Sequence, residues 1–126
     1  MIPEVLTILY ACFKTGLVAV PIFTGFGATA ISTRLENCGA RVLFTSDGLR
    51  RRGQILPLKE KLDQALLASP SVEKVIICPY QNNSILRQQP RDVWWEDFLR
   101  AQSSESTLLA LEAEDPAMIL YSSGTT

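Results

Sequence analysis

The sequence predicts an α/β domain with a mainly parallel sheet flanked by helices, and three observations carry that expectation. Segments with apolar residues at helical spacing alternate with short apolar runs, the pattern that successive strand and helix units leave in a sequence. One run, "LVAVPIF", is apolar throughout rather than at every second position, as a strand buried on both faces requires. The chain's 126 residues, 47% of them hydrophobic, suffice for one buried core.

The elements follow in order. Pro3 sits where a first helical turn begins, Val5, Ile8, Leu9, Cys12 and Phe13 recur at helical spacing, and Gly16 is a natural terminator. "LVAVPIF" is the strand that follows. Residues 28–38 read as a second helix with Ile31, Leu35 and Cys38 on one side, ended by a left-handed Gly39. "RVLFTSD" is then a strand. Pro57 opens a third helix, whose buried stripe is Leu58, Leu62, Ala65 and Leu66, and Pro70 lies just past its end. "EKVIICPY" is the next strand, and "QNNSILRQQP" an exposed loop free to vary in length. Asp92 is placed to cap a short helix carrying Trp94, Trp95, Phe98 and Leu99. A polar stretch then leads through Asp115 and Pro116 to a last strand, "MILY". No repeat of 20 to 50 residues is visible.

Composition excludes several functions. Twelve Lys and Arg against thirteen Asp and Glu leave a net charge of -1, without the basic excess of a nucleic-acid or anionic-membrane surface. Histidine is absent, which removes histidine acid-base catalysis and histidine-ligated metal sites from this segment. Cys12, Cys38 and Cys78 are odd in number and widely spaced, so the expectation is reduced structural cysteines and a cytoplasmic location, with no metal site. Glu4, Lys14 and Pro21 interrupt the apolar amino-terminal stretch well short of the ~20 residues a membrane span needs.

The chain ends on an apolar run entering Ser122, Ser123, Gly124, Thr125 and Thr126. Such a turn presents successive N–H groups as an anion-binding nest; Gly124 permits close approach and the four hydroxyls add neutral donors. From the pentapeptide alone an ordinary surface turn is the favoured reading, since short glycine-containing motifs recur by chance. Arg50, Arg51 and Arg52 place three fixed charges between a strand and a helix, where a guanidinium grips phosphate in bidentate fashion or simply faces solvent. Trp94 and Trp95 point about 100° apart on a helix, so one packs inward and the other covers a seam.

The block "EAEDPAMILYSSGTT" resembles the phosphate-loop region of the adenylate-forming enzymes, the acyl-CoA synthetase superfamily. The family motif runs Tyr-Thr-Ser-Gly-Ser/Thr-Thr-Gly-x-Pro-Lys; Ser122 stands at its first Thr, and its last four residues are not in this sequence. Upstream, "VPIFTGFGATAISTRLENCGARVLFTSDGLRRRGQILPLKEKLDQAL", "SVEKVIIC" and "RDVWWEDF" resemble the amino-terminal part of the acetyl-CoA synthetase group of short-chain ligases. The resemblance implies that residues 1–126 are a single partial domain, part of the large N-terminal domain of such an enzyme, ending inside its phosphate loop. It implies that Ser122, Ser123, Gly124, Thr125 and Thr126 hold the phosphates of ATP. It implies further that Gly25 lies in a turn receiving coenzyme A, where relatives have Gly-Gly-Phe and this chain has Thr24, Gly25 and Phe26. Residue 29, commonly acidic in relatives, is Thr here, and Arg51 stands where the family has an arginine at the nucleotide end of coenzyme A.

The implied activity is a two-step ligation. A short carboxylate, acetate foremost, attacks the α-phosphate of MgATP, and the thiol of coenzyme A then displaces AMP. No residue of this segment is assigned a catalytic role; the motif lysine, the Mg2+-binding acid and the acyl pocket are expected beyond Thr126, so the segment by itself is expected to be inactive. The alternatives are a nucleotide- or phosphate-binding module without ligase chemistry and a partner-binding structural domain, because fold alone does not fix function.

Overall fold

The computed structural model describes residues 2–81, 85–100 and 102–122. Its elements are helix α1 (Glu4–Thr15), helix α2 (Ala28–Cys38), strands β1 (Val42–Ser46), β2 (Leu49–Arg51) and β3 (Gln54–Leu56), helix α3 (Leu58–Leu66), strands β4 (Lys74–Cys78) and β5 (Asp92–Trp94), and helix α4 (Trp95–Arg100). They fall into two compact units, one of Phe23–Gln102 and one of Met1–Ile22 with Ser103–Thr126.

The Phe23–Gln102 unit is built on a three-stranded parallel sheet of order β1-β4-β5. Its middle strand has both edges paired and both faces covered, which is why Val75, Ile76, Ile77 and Cys78 form an unbroken apolar run, all of them buried. Parallel neighbours need long crossovers: β1 reaches β4 through the β2-β3 hairpin and α3, and β4 reaches β5 through residues 79–91. The buried face of α3 consists of Leu58, Lys59, Leu62, Ala65 and Leu66, the expected stripe with one lysine added. Helix α2 contributes Ile31 and Leu35, and ends where Gly39 turns left-handed at φ 60° and Ala40 donates to the Leu35 carbonyl at 3.0 Å. The carboxylate of Asp47, just past β1, accepts from the Tyr80 and Gln81 amides at 2.9 and 3.0 Å, tying together the carboxyl ends of β1 and β4.

In the other unit α1 starts from Pro3 and ends at Gly16, whose φ of 70° admits the left-handed cap. Glu4 in its first turn and Lys14 in its last complement the helix dipole. "LVAVPIF" departs from expectation here: only Ala19 forms a parallel bridge, to Met118, with Ala19 donating to Ala117 and Ile119 donating to Ala19. Leu17 is exposed in that stretch. Pro21 has no N–H with which to extend the ladder, so the pairing stops short of a buried strand.

Asp92 also departs from expectation. It does not cap a helix; it opens β5, pairs in register with Val75, and α4 begins only at Trp95. Its carboxylate is fully buried, at 0% exposure, and meets Lys59 Nζ at 2.7 Å, Arg91 Nε at 2.8 Å and the Gln88 amide at 2.7 Å. Lys59, itself 1% exposed, also donates to Asp63 at 2.7 Å, and Arg91 closes the ring to Asp63 at 2.8 Å. Two acids and two bases thus neutralise one another between α3 and β5. Burial on its own would raise the Asp92 pKa, but hydrogen bonds from Arg91, Lys59 and Gln88 more than offset it and hold the carboxyl below its ordinary range. Arg91 is likewise held up by Asp92 and Asp63 against the opposing effect of burial. Trp95 packs edge-on to Phe44 and beside Phe98, each at 6.3 Å, and Trp94 lies under the Arg87 guanidinium at 5.8 Å; both tryptophans are half-buried.

Removing one partner strands a buried charge, so Lys59→Met is expected to cost about 3–5 kcal/mol, and Lys59→Met combined with Asp92→Leu to cost less than either alone. Urea unfolding followed by tryptophan fluorescence measures both. Because the folded pKa of Asp92 lies below its unfolded value of about 3.9, its contribution is complete above that pH and is lost as pH falls through the folded value. Wild type is therefore expected to lose stability on acidification below about pH 4 more steeply than Asp92→Asn does.

Candidate functional site

Residues 23–26 form a tight turn closed by Phe26 N–H donating to the Phe23 carbonyl at 3.1 Å. Gly25 is not required there for a left-handed φ, which only Gly16, Gly39 and Gly53 adopt among the described glycines. It is required by close approach: a Cβ at Gly25 would overlap the ring of Phe23. That ring meets Phe26 edge-on at 5.6 Å, and the Arg34 guanidinium lies over the other aromatic, Phe26, at 4.3 Å. The turn's carbonyls are held from α3, where Lys61 Nζ donates to Thr24 at 2.7 Å and to Phe26 at 3.1 Å. Two helices each send one cation to this turn. Phe23, Thr24 and Gly25 face solvent, with Phe23 60% exposed, so the turn offers an aromatic face beside an exposed stretch of backbone.

Arg51 lies in the same unit, on β2, where it pairs with Gln54 of β3 and is exposed. The three arginines lie between strand β1 and helix α3, as expected, but not as one cluster. They sit in a hairpin that the sequence reading missed: Arg50 and Arg51 take successive strand positions and so point to opposite faces, and Arg52 enters the reversal at φ 51° beside Gly53 at φ 79°. The charges are splayed, and Arg51 is free of Arg50 on its own face. The hairpin follows directly on Asp47, so the buried carboxylate at the end of β1 anchors its base.

In the other unit, the bridged segment 117–119 leads through Tyr121 to Ser122, which is exposed. Ser123, Gly124, Thr125 and Thr126 lie outside the described residues. A pocket of about 460 Å³ opens in this unit, lined by Cys12, Phe13, Leu17, Leu109, Leu111 and Pro116 among others, and includes none of the residues expected to hold ATP or coenzyme A. Burial pushes the Cys12 thiol up, a backbone hydrogen bond only partly opposing it, so the thiol is neutral at pH 7 and weakly reactive. Cys38 is half-buried and Cys78 buried, and none of the three is in a disulfide. Among the described residues no three His, Cys, Asp or Glu side chains gather as a metal site would require, and no helix is long and apolar enough to cross a membrane.

Sequence reasoning singled out Gly25 and Arg51 and missed Lys61, Arg34 and Phe23. A periodicity argument finds none of the three, because each acts through a contact with residues 23–26.

The family model for AMP-binding enzymes matches residues 1–126. The chain is 41% identical over all its residues to the acetyl-coenzyme A synthetase of Rhodopirellula baltica and 38% identical to that of Methanothrix soehngenii, spanning 19% of the length of each. The solved structure of acetoacetyl-CoA synthetase from Streptomyces lividans superposes with a TM-score of 0.85 at 28% identity, over 99% of this chain and 19% of that one.

Gly25→Ala is expected to push the Phe23 ring aside and break its edge contact with Phe26, at a cost of about 1 kcal/mol. Near-UV circular dichroism together with the urea midpoint reads both effects.

Proposed function

The chain belongs to the AMP-binding enzymes, and we propose that the whole protein is an ATP-dependent acid-CoA ligase acting on a short carboxylate, acetate first. What carries the reading is the unbroken likeness, along all 126 residues, to relatives named for acetyl-CoA synthesis. In this reading the 126 residues are one part of a larger nucleotide-binding domain, in a cytoplasmic enzyme.

The carboxylate attacks the α-phosphate of ATP, forming acyl-adenylate and releasing pyrophosphate. The thiol sulfur of coenzyme A then attacks the acyl carbon, the bond to the AMP oxygen breaks, and AMP leaves. Residues 122–126 contribute to the first step. Their neutral donors hold the β- and γ-phosphates by hydrogen bonds, which limits repulsion of an anionic nucleophile without a competing salt bridge. Mg2+ accompanies ATP as a charge-neutralising ion, held by residues outside this segment.

The turn at 23–26 serves the second step. Its exposed backbone at Gly25, with the solvent-facing Phe23 ring packed against it, receives the coenzyme, and Arg51 offers a fixed fork of donors to phosphate at the nucleotide end. Both fit an extended anionic ligand: the turn is free of carboxylates, and Arg51 stands on the hairpin face opposite Arg50.

The test is an assay of the whole protein with MgATP, acetate and coenzyme A, following AMP and thioester together. Equal release of AMP and acetyl-CoA is expected; ATP bound without AMP release would leave a nucleotide-binding module in place of the ligase. Arg51→Ala is expected to raise KM for coenzyme A about tenfold more than KM for ATP, the worth of one charge-assisted contact, with Arg51→Lys recovering part of the loss.

A further inference from the structure

We propose that Lys61 is a positioning residue for coenzyme A, orienting two glycine amides, one in the turn at 23–26 and one just after it, toward the acceptor oxygens of the ligand. The inference rests on the reading of this turn as the coenzyme A site and extends it to a side chain that does not touch the ligand. Lys61 Nζ draws the carbonyls of Thr24 and Phe26 toward α3. The only cis bond among the described residues is Gln89-Pro90, so the peptides joining Thr24 to Gly25 and Phe26 to Gly27 are trans. In a planar trans peptide the N–H points opposite to the C=O. Fixing those two carbonyls on Lys61 therefore turns the N–H groups of Gly25 and Gly27 to the side away from it.

Both donors belong to glycines. A Cβ at Gly27 would meet nothing within 4 Å, so its backbone is open to close approach in that direction, and the three atoms nearest a Cβ at Gly25 all belong to the exposed ring of Phe23. The lysine charge, spent on two carbonyls, also polarises both peptides and strengthens their amides as donors. Arg34 on α2 holds the Phe26 ring from another direction, so the backbone and the side chain of the turn are fixed by separate cations. The ligand groups that suit two diverging amides are oxygen acceptors, an amide carbonyl of the pantetheine arm or a phosphate oxygen.

The experiment compares Lys61→Met and Lys61→Arg in the whole protein, measuring the complete thioester reaction alongside acetate-dependent ATP-pyrophosphate exchange, which needs no coenzyme A. Lys61→Met is expected to raise KM for coenzyme A about tenfold, the loss of a charge-assisted hydrogen bond at a half-exposed site, while KM for ATP moves by less than about twofold. Lys61→Arg keeps the donors and is expected to recover most of the affinity. An unchanged KM for coenzyme A, or an equal loss in both half-reactions as a merely structural lysine would give, overturns the proposal. Arg51→Ala, run in parallel, separates the two levels: if it weakens coenzyme A and Lys61→Met does not, the site reading stands and the role of Lys61 falls. If the protein makes no thioester, both fall together. Should Lys61→Met fail to fold, Lys61→Gln takes its place under the same criteria.

Discussion

Lys59 lies inside the Phe23–Gln102 unit only because two carboxylates meet it there, and most of that unit's order follows from this pairing. Its ammonium sits between Asp92 and Asp63, and Arg91 completes the ring. A charge left alone at that depth would cost several kcal/mol, so α3, β5 and the connection bearing Gln88 must take up one mutual arrangement or none. Apolar packing has no such directional demand. The leucines of α3 tolerate small slides against α2 and β1, whereas the ion ring fixes which residue of α3 stands over which residue of β5.

From that fixed α3 the candidate site inherits its geometry. Lys61 is two residues on from Lys59, and nearby positions of a helix leave in different directions, so the same element presents one lysine to the ion ring and another to the turn at 23–26. The sheet does comparable work at its carboxyl edge, where Asp47 gathers the amides after β4 and anchors the hairpin that carries Arg51. In open α/β sheets ligands approach at that edge of the strands. The turn and the hairpin are therefore exposed surface features held by polar contacts, the turn by the half-exposed Lys61 and the hairpin by the buried Asp47.

Much of the architecture was legible beforehand, for local reasons. Helix α2 occupies the residues its apolar spacing and Gly39 marked out, α3 begins after Pro57, and β1 and β4 coincide with the two apolar runs, because caps, breakers and period are properties of consecutive residues. The failures share one cause. "LVAVPIF" has a strand's composition but pairs only at Ala19, since pairing depends on what lies alongside. Asp92 has a capping residue's chemistry and a favourable position, yet its partners come from α3 and from Arg91. The arginine run suggested one patch, and the hairpin distributes it over two faces and a turn.

By itself the sequence determined the α/β class, helices α2 and α3 of the larger unit, and the family likeness that runs along all 126 residues. Only the tertiary structure decided that Lys59 is buried and Lys61 half-exposed, that Asp92 pairs instead of capping, and that Gly25 is needed for the ring beside it and not for a left-handed φ. The division is physical. Helical period, capping and turn chemistry act over a few covalently adjacent residues and are written in their order, whereas burial, ion pairing and close approach depend on atoms brought together from distant positions by folding.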